Sequence, residues 1–115
     1  AARDRLRVLF LGTYSNLDSD GLQELRRRAL LLIDVRTDRE VERGLIPGAL
    51  HIPLHTLPAR LEEIGHGCPV VFYCQSGARS AQASSFLAGN GWEQVYNLAG
   101  GFSGWAARGL PVVQN

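Results

Sequence analysis

Short apolar runs alternate along this chain with stretches in which apolar positions recur three and four residues apart. That rhythm, strand-like runs separated by helical spacing, is the mark of an α/β domain built on a parallel sheet. A first strand falls within residues 7–17. Ser19 or Asp20 then caps a helix to about residue 28 that turns Leu22 and Leu25 inward. Residues 30–35 are apolar on both faces until Asp34, as in a fully buried strand. Thr37-Asp38-Arg39-Glu40 reads as a capping box opening a short helix. A loop over 44–48 leads to a short strand over 49–52. Thr56 is expected to cap a further helix to about residue 64, with Pro58 tolerated in its first turn. Residues 70–73 form the most apolar and most central strand. A helix over 80–89 follows, with Phe86 and Leu87 inward, then a last strand over 94–98. The Gly100-Gly101 turn leads into a final short helix near Trp105. Five strands and four or five helices result, in one domain over 1–115.

A domain of this length can bury roughly 65% of its unfolded surface and folds without a covalent staple. The net charge of +1 supplies no global attraction to nucleic acid or to a membrane surface. Apolar runs of four or five residues fall far short of the ~20 that span a bilayer. All 12 basic residues are Arg, so chemistry through a lysine Schiff base or a P-loop lysine is excluded. Over residues 64–115 the charged side chains are Arg79, Glu93 and Arg108, and Arg79 is conspicuous in so neutral a region.

Cys68 and Cys74 flank the predicted central strand. At about 3.3 Å per residue their Cα atoms stand roughly 20 Å apart, beyond the ~7 Å reach of a disulfide. The same distance argues against Cys68 as a resolving thiol for Cys74. Two free thiols fit a reducing, cytoplasmic compartment. The periplasm is the alternative if an upstream export signal has been removed, since Arg3, Arg5 and Arg7 before a short apolar run are only a faint trace of one.

Chemistry concentrates in Cys74-Gln75-Ser76-Gly77-Ala78-Arg79-Ser80. Cys74 stands at the carboxyl end of the central strand, the edge where open α/β sheets bind ligands. Small residues and Gly77 let the loop curl with its amides inward, and the following helix adds its positive end. Such surroundings favour a thiolate over a thiol, whose ordinary pKa is about 8.5. Arg79 adds a permanent positive charge able to grip a sulfonate bidentately. A buried cysteine at a strand end is commonly no more than a small hydrophobe. The Gly three residues on and the Arg five residues on set Cys74 apart from that case.

These residues resemble the rhodanese family, whose Cys-x-x-Gly-x-Arg loop is matched by Cys74, Gly77 and Arg79. The family's Asp-x-Arg is matched by Asp34 and Arg36, followed by Glu40 and by Gly44-Leu45-Ile46-Pro47-Gly48-Ala49. Its closing Leu-x-Gly-Gly and Trp are matched by Leu98, Gly100, Gly101 and Trp105. The resemblance covers roughly residues 14–112. It implies a three-layer α/β/α domain with a central, mostly parallel five-stranded sheet. It also implies a sulfurtransferase that moves sulfane sulfur through a Cys74 persulfide without a cofactor. A small donor such as thiosulfate or a low-molecular-weight persulfide would load Cys74, amides from Gln75 to Ser80 would stabilise the charge, and a thiol, a protein or cyanide would accept the sulfur. Gln75 and Ser76 stand where some relatives carry cations, which weighs against efficient use of thiosulfate. Leu45 replaces a usual His.

Two other functions compete. Phosphatases and arsenate reductases of related fold separate Cys and Arg by five residues, whereas four intervene here, leaving a smaller ring. A non-catalytic binding module is the other alternative, and inactive relatives typically lack the Cys. His51, His55 and His66 make a poor metal site with Cys68, because Pro53 breaks the helical spacing between the first two. Asp34 is expected to pair with Arg36 or loop amides, Arg26-Arg27-Arg28 to be a solvated helix end, and Trp92 and Trp105 to lie in or near the core, Trp105 being a candidate wall of the pocket.

Overall fold

The computed structural model describes residues 13–114, and the part of the first expected strand before residue 13 lies outside them. Five short strands form one parallel sheet: β1 (Ser15–Leu17), β2 (Leu31–Asp34), β3 (Leu50–His51), β4 (Val70–Tyr73) and β5 (Val95–Leu98). Their order is β1-β5-β4-β2-β3, which puts the most apolar strand in the middle. Every residue of β4 is buried, because a parallel strand is covered on both faces.

Alternation along the strands divides the core in two. Ile33, Val70 and Phe72 face one side, where Ala83 and Leu87 of helix α3 (Ala78–Gly89) and Leu57 cover them. Leu32, Val71, Tyr73 and Leu98 face the other, under Leu22 of α1 (Ser19–Leu25) and Trp105 of α4 (Gly101–Ala107). The result is the expected three-layer α/β/α arrangement. Among the described residues no helix is long and apolar enough to cross a membrane.

The capping box forms as read, opening α2 (Asp38–Val41): Glu40 N–H donates to the Thr37 hydroxyl at 3.2 Å and Thr37 N–H to the Glu40 carboxylate at 3.0 Å. Other boundaries shift. The cap of α1 is Asp18, whose carboxylate accepts the Gly21 N–H at 2.7 Å, rather than Ser19 or Asp20. The helix expected from Thr56 is instead two 3-10 pieces, Leu54–Ala59 and Leu61–Glu63. Pro58 inside the first has no N–H to donate, and Arg60 between them leaves helical geometry at φ −122°. The Thr56 hydroxyl donates back to the Pro53 carbonyl. Phe86 is an exposed large hydrophobic residue rather than an inward one, while Leu87 is buried as expected.

Candidate active site

The loop from Cys74 to Gly77 joins β4 to α3, and Cys74 is fully buried at its start. Helix α3 begins at Ala78, two residues before the expected start at Ser80. That early start places Ser80 in the first turn, with its hydroxyl 3.4 Å from the Cys74 sulfur. Gly77 N–H donates to the same sulfur at 3.1 Å. Gly77 holds φ +109°, and a Cβ there would sit 2.3 Å from the Ala99 carbonyl oxygen, so no other residue fits.

What turns the loop amides inward is the fixing of its carbonyls outward. Phe102 N–H donates to the Cys74 carbonyl at 2.8 Å and Ser103 N–H to that of Gln75 at 3.0 Å. Gly101, at φ +61°, permits this approach, since a Cβ would come within 2.5 Å of the Gln75 oxygen. Burial disfavours an ionised sulfur. Hydrogen bonds from the Ser80 hydroxyl and from the amides of Ser80, Gly77 and Ser76 outweigh that penalty, and the thiol pKa is lowered. The chemistry available is that of a sequestered thiol whose ionised form is favoured by fixed donors.

Arg79 does not stand free to grip an oxyanion, contrary to the expectation from its isolation in the sequence. Its two terminal nitrogens donate to both oxygens of Glu40, at 2.7 and 2.8 Å. The Arg79 hydrogen bonds hold the Glu40 carboxyl at about 2, against the opposing effect of burial and with help from Thr37. Glu40 entered the sequence reading through the capping box and the resemblance, and its 39-residue separation from Arg79 left no local signal of their pairing.

Asp34 and Arg36 form a buried pair, one of the two outcomes expected for Asp34. Arg36 Nε donates to both Asp34 oxygens at 3.1 Å, and a terminal nitrogen to one of them at 2.7 Å. The same guanidinium donates to the Gly44 carbonyl at 2.7 Å and to the Gln75 side-chain oxygen at 3.1 Å. It lies 4.2 Å from the centre of the Phe102 ring, a cation–π contact. Gln75 completes the chain by donating to the Ser103 hydroxyl at 2.8 Å.

A cavity of about 410 Å³ adjoins the loop, lined by Arg36, Arg39, Glu40, Arg43, Gln75 and Phe102. Phe102, not Trp105, supplies its aromatic wall; Trp105 is buried in the core and donates to the Pro111 carbonyl. Phe102 and Ser103 were missed in the sequence, where they were read only as part of the short helix after the Gly100-Gly101 turn. Ser76 on the loop and Ala78 at the start of α3 are exposed. His51 donates to the Arg36 carbonyl at 2.7 Å, and His66 stacks on Trp92 with ring centres 3.9 Å apart. Among the described residues no three His, Cys, Asp or Glu side chains group as a metal site. Both cysteines are free.

The sequence model of the rhodanese-like domain matches residues 18–108. The chain belongs to the rhodanese-like family. A sulfurtransferase of Allochromatium vinosum is 44% identical over 101 residues, covering 86% of this chain and 94% of that protein. A thiosulfate sulfurtransferase, GlpE, of Ectopseudomonas mendocina is 30% identical over 97 residues, 84% of this chain and 89% of that one. The crystal structure of a rhodanese-related protein from Thermoplasma volcanium superposes with a TM-score of 0.82 at 28% identity, covering 89% of this chain and 100% of that chain. These likenesses place the rhodanese-like domain described here among the sulfurtransferases, with its Cys74 loop between the central strand and α3.

Proposed function

We propose that this protein transfers sulfane sulfur through a persulfide on Cys74. The Cys74 thiolate attacks the outer sulfur of a donor such as thiosulfate or a low-molecular-weight persulfide. A bond forms between Sγ and that sulfur, the donor's own S–S bond breaks, and its electron pair leaves with sulfite or with the organic thiolate. A thiol, a protein thiol or cyanide then attacks the outer sulfur of the persulfide, and the Cys74 thiolate is the leaving group. No cofactor takes part in either step.

The observation that carries this reading is the environment of one buried sulfur, which receives the Gly77 amide and the Ser80 hydroxyl. Donors fixed in advance stabilise charge on sulfur without reorganising, as an oxyanion hole does for oxygen. By the same reasoning the amides from Gln75 to Ser80 receive the outer sulfur, and Asp34 and Arg36 support the loop from beneath through Gln75.

Mass spectrometry of protein exposed to thiosulfate or to an organic persulfide tests the proposal. The peptide containing Cys74 should gain the mass of one sulfur atom, lose it on addition of cyanide with release of thiocyanate, and gain nothing in Cys74→Ser. An unmodified wild-type Cys74 with every donor would favour a binding role instead.

A further inference from the structure

We infer that the cavity beside the Cys74 loop recognises the carboxylates of an acidic organic persulfide, a small peptide or amino acid carrying the transferable sulfur, through Arg39 and Arg43. This rests on the persulfide reading above and names the class of donor the site is built to take.

Charge accounting leads there. Three guanidinium groups, those of Arg36, Arg39 and Arg43, line the cavity beside one carboxylate, Glu40. Glu40 is occupied at both oxygens by Arg79, and Arg36 by Asp34, Gly44 and Gln75. Arg39 and Arg43 remain: both are exposed, and neither side chain has an ion-pair or hydrogen-bond partner among the described residues. Exposed arginines are ordinarily a solvated face. These two, four residues apart across α2 and the turn after it, instead give a cavity that meets the Cys74 loop at Gln75 an uncompensated positive charge.

The same accounting disfavours a bare inorganic donor as the ligand for which the cavity is shaped. An oxyanion attached directly to the transferred sulfur gains most from a cation close to that sulfur, beyond what loop amides supply. Positions 75 and 76 are neutral, and Arg79 is committed to Glu40. A volume of about 410 Å³ lies within the roughly 300–1,000 Å³ typical of sites that enclose an organic ligand. Phe102 offers an apolar wall for the organic part, and planar guanidinium forks match carboxylates bidentately. The arginines bind and orient; the transfer itself is the exchange already described, with the organic thiolate leaving and no net oxidation.

Loading rates with glutathione persulfide, which carries two carboxylates, and with its diester test the inference in the unmodified protein. The free acid should be preferred by about tenfold or more in kcat/KM, and the preference should shrink as salt rises, because the charges are exposed. In Arg39→Gln/Arg43→Gln the KM for the free acid should rise about tenfold with kcat changed less than twofold, leaving the two persulfides equal. Equal loading by acid and diester in the wild type would overturn the inference while leaving the persulfide mechanism intact. Loading by neither, nor by thiosulfate, would overturn both. Because the acid–ester comparison needs no variant, a poorly folding double variant cannot decide the matter.

Discussion

Two ion pairs flank the Cys74 loop, and they differ in almost every respect that matters. The Asp34–Arg36 pair beneath it is buried, at 0% and 1% side-chain exposure, whereas the Glu40–Arg79 pair at its rim is 29% and 36% exposed. The inner pair joins residues two apart at the end of one strand, and its guanidinium also donates to Gly44 and Gln75 and lies over the Phe102 ring. It cannot exchange partners without leaving a charge stranded out of water, so it acts as a strut for the loop. The outer pair joins α2 to α3 in contact with solvent, where water and salt replace either partner cheaply. Position in the fold, not residue type, decides which ion pair is a buried strut and which is open to water.

Breaking the inner pair should have the largest effect. Asp34→Asn leaves Arg36 charged and buried without its counter-ion, and should cost about 3–5 kcal/mol in urea unfolding. A loss no greater than that of the outer-pair variant would remove the distinction. Between the pairs sits the sulfur itself. Ser80→Ala deletes one of its donors, so the thiol should titrate at higher pH, seen as the thiolate ultraviolet band. Sulfur loading at neutral pH should slow roughly five- to tenfold, the equivalent of one hydrogen bond.

Glu40→Gln should cost only about 0.2–1 kcal/mol, as exposed pairs do. Its pH signature is specific. Glu40 titrates at about 2 in the folded protein, below an ordinary value of about 4.3. Its contribution is therefore complete above that ordinary value and is lost as pH falls toward 2. Acid-unfolding profiles should show this loss in the wild type and a flatter curve in the variant. Smallest of all, Cys68→Ser, at the far end of β4 from Cys74, should change stability by less than about 0.5 kcal/mol and loading not at all.

Local interactions were readable in advance. The capping box joins residues three apart, the Asp34–Arg36 pair residues two apart, and the strand–loop–helix around Cys74 is contiguous, so short-range stereochemistry specifies them. Even there the start of α3 moved from Ser80 to Ala78, because Gly77 rather than a side chain caps it. Helical spacing over residues 56–64 misled, since a missing proline donor outweighs periodicity in so short a segment. Phe86 was read as core from its apolarity alone, although the sheet is already covered by Ala83 and Leu87.

The succession of strands and helices along the chain, the central place of β4 and the strand–loop–helix setting of Cys74 were determined by the chain on its own, because each follows from neighbours in sequence. Only the tertiary structure decided that Arg79 is held by Glu40, that Phe102 and Ser103 pin the loop from behind, and that Arg39 and Arg43 are left facing a cavity. Those contacts join residues 39 and 28 positions apart or depend on which charges find a partner. Parallel crossovers bring such residues together at one sheet edge, and no local pattern records the meeting.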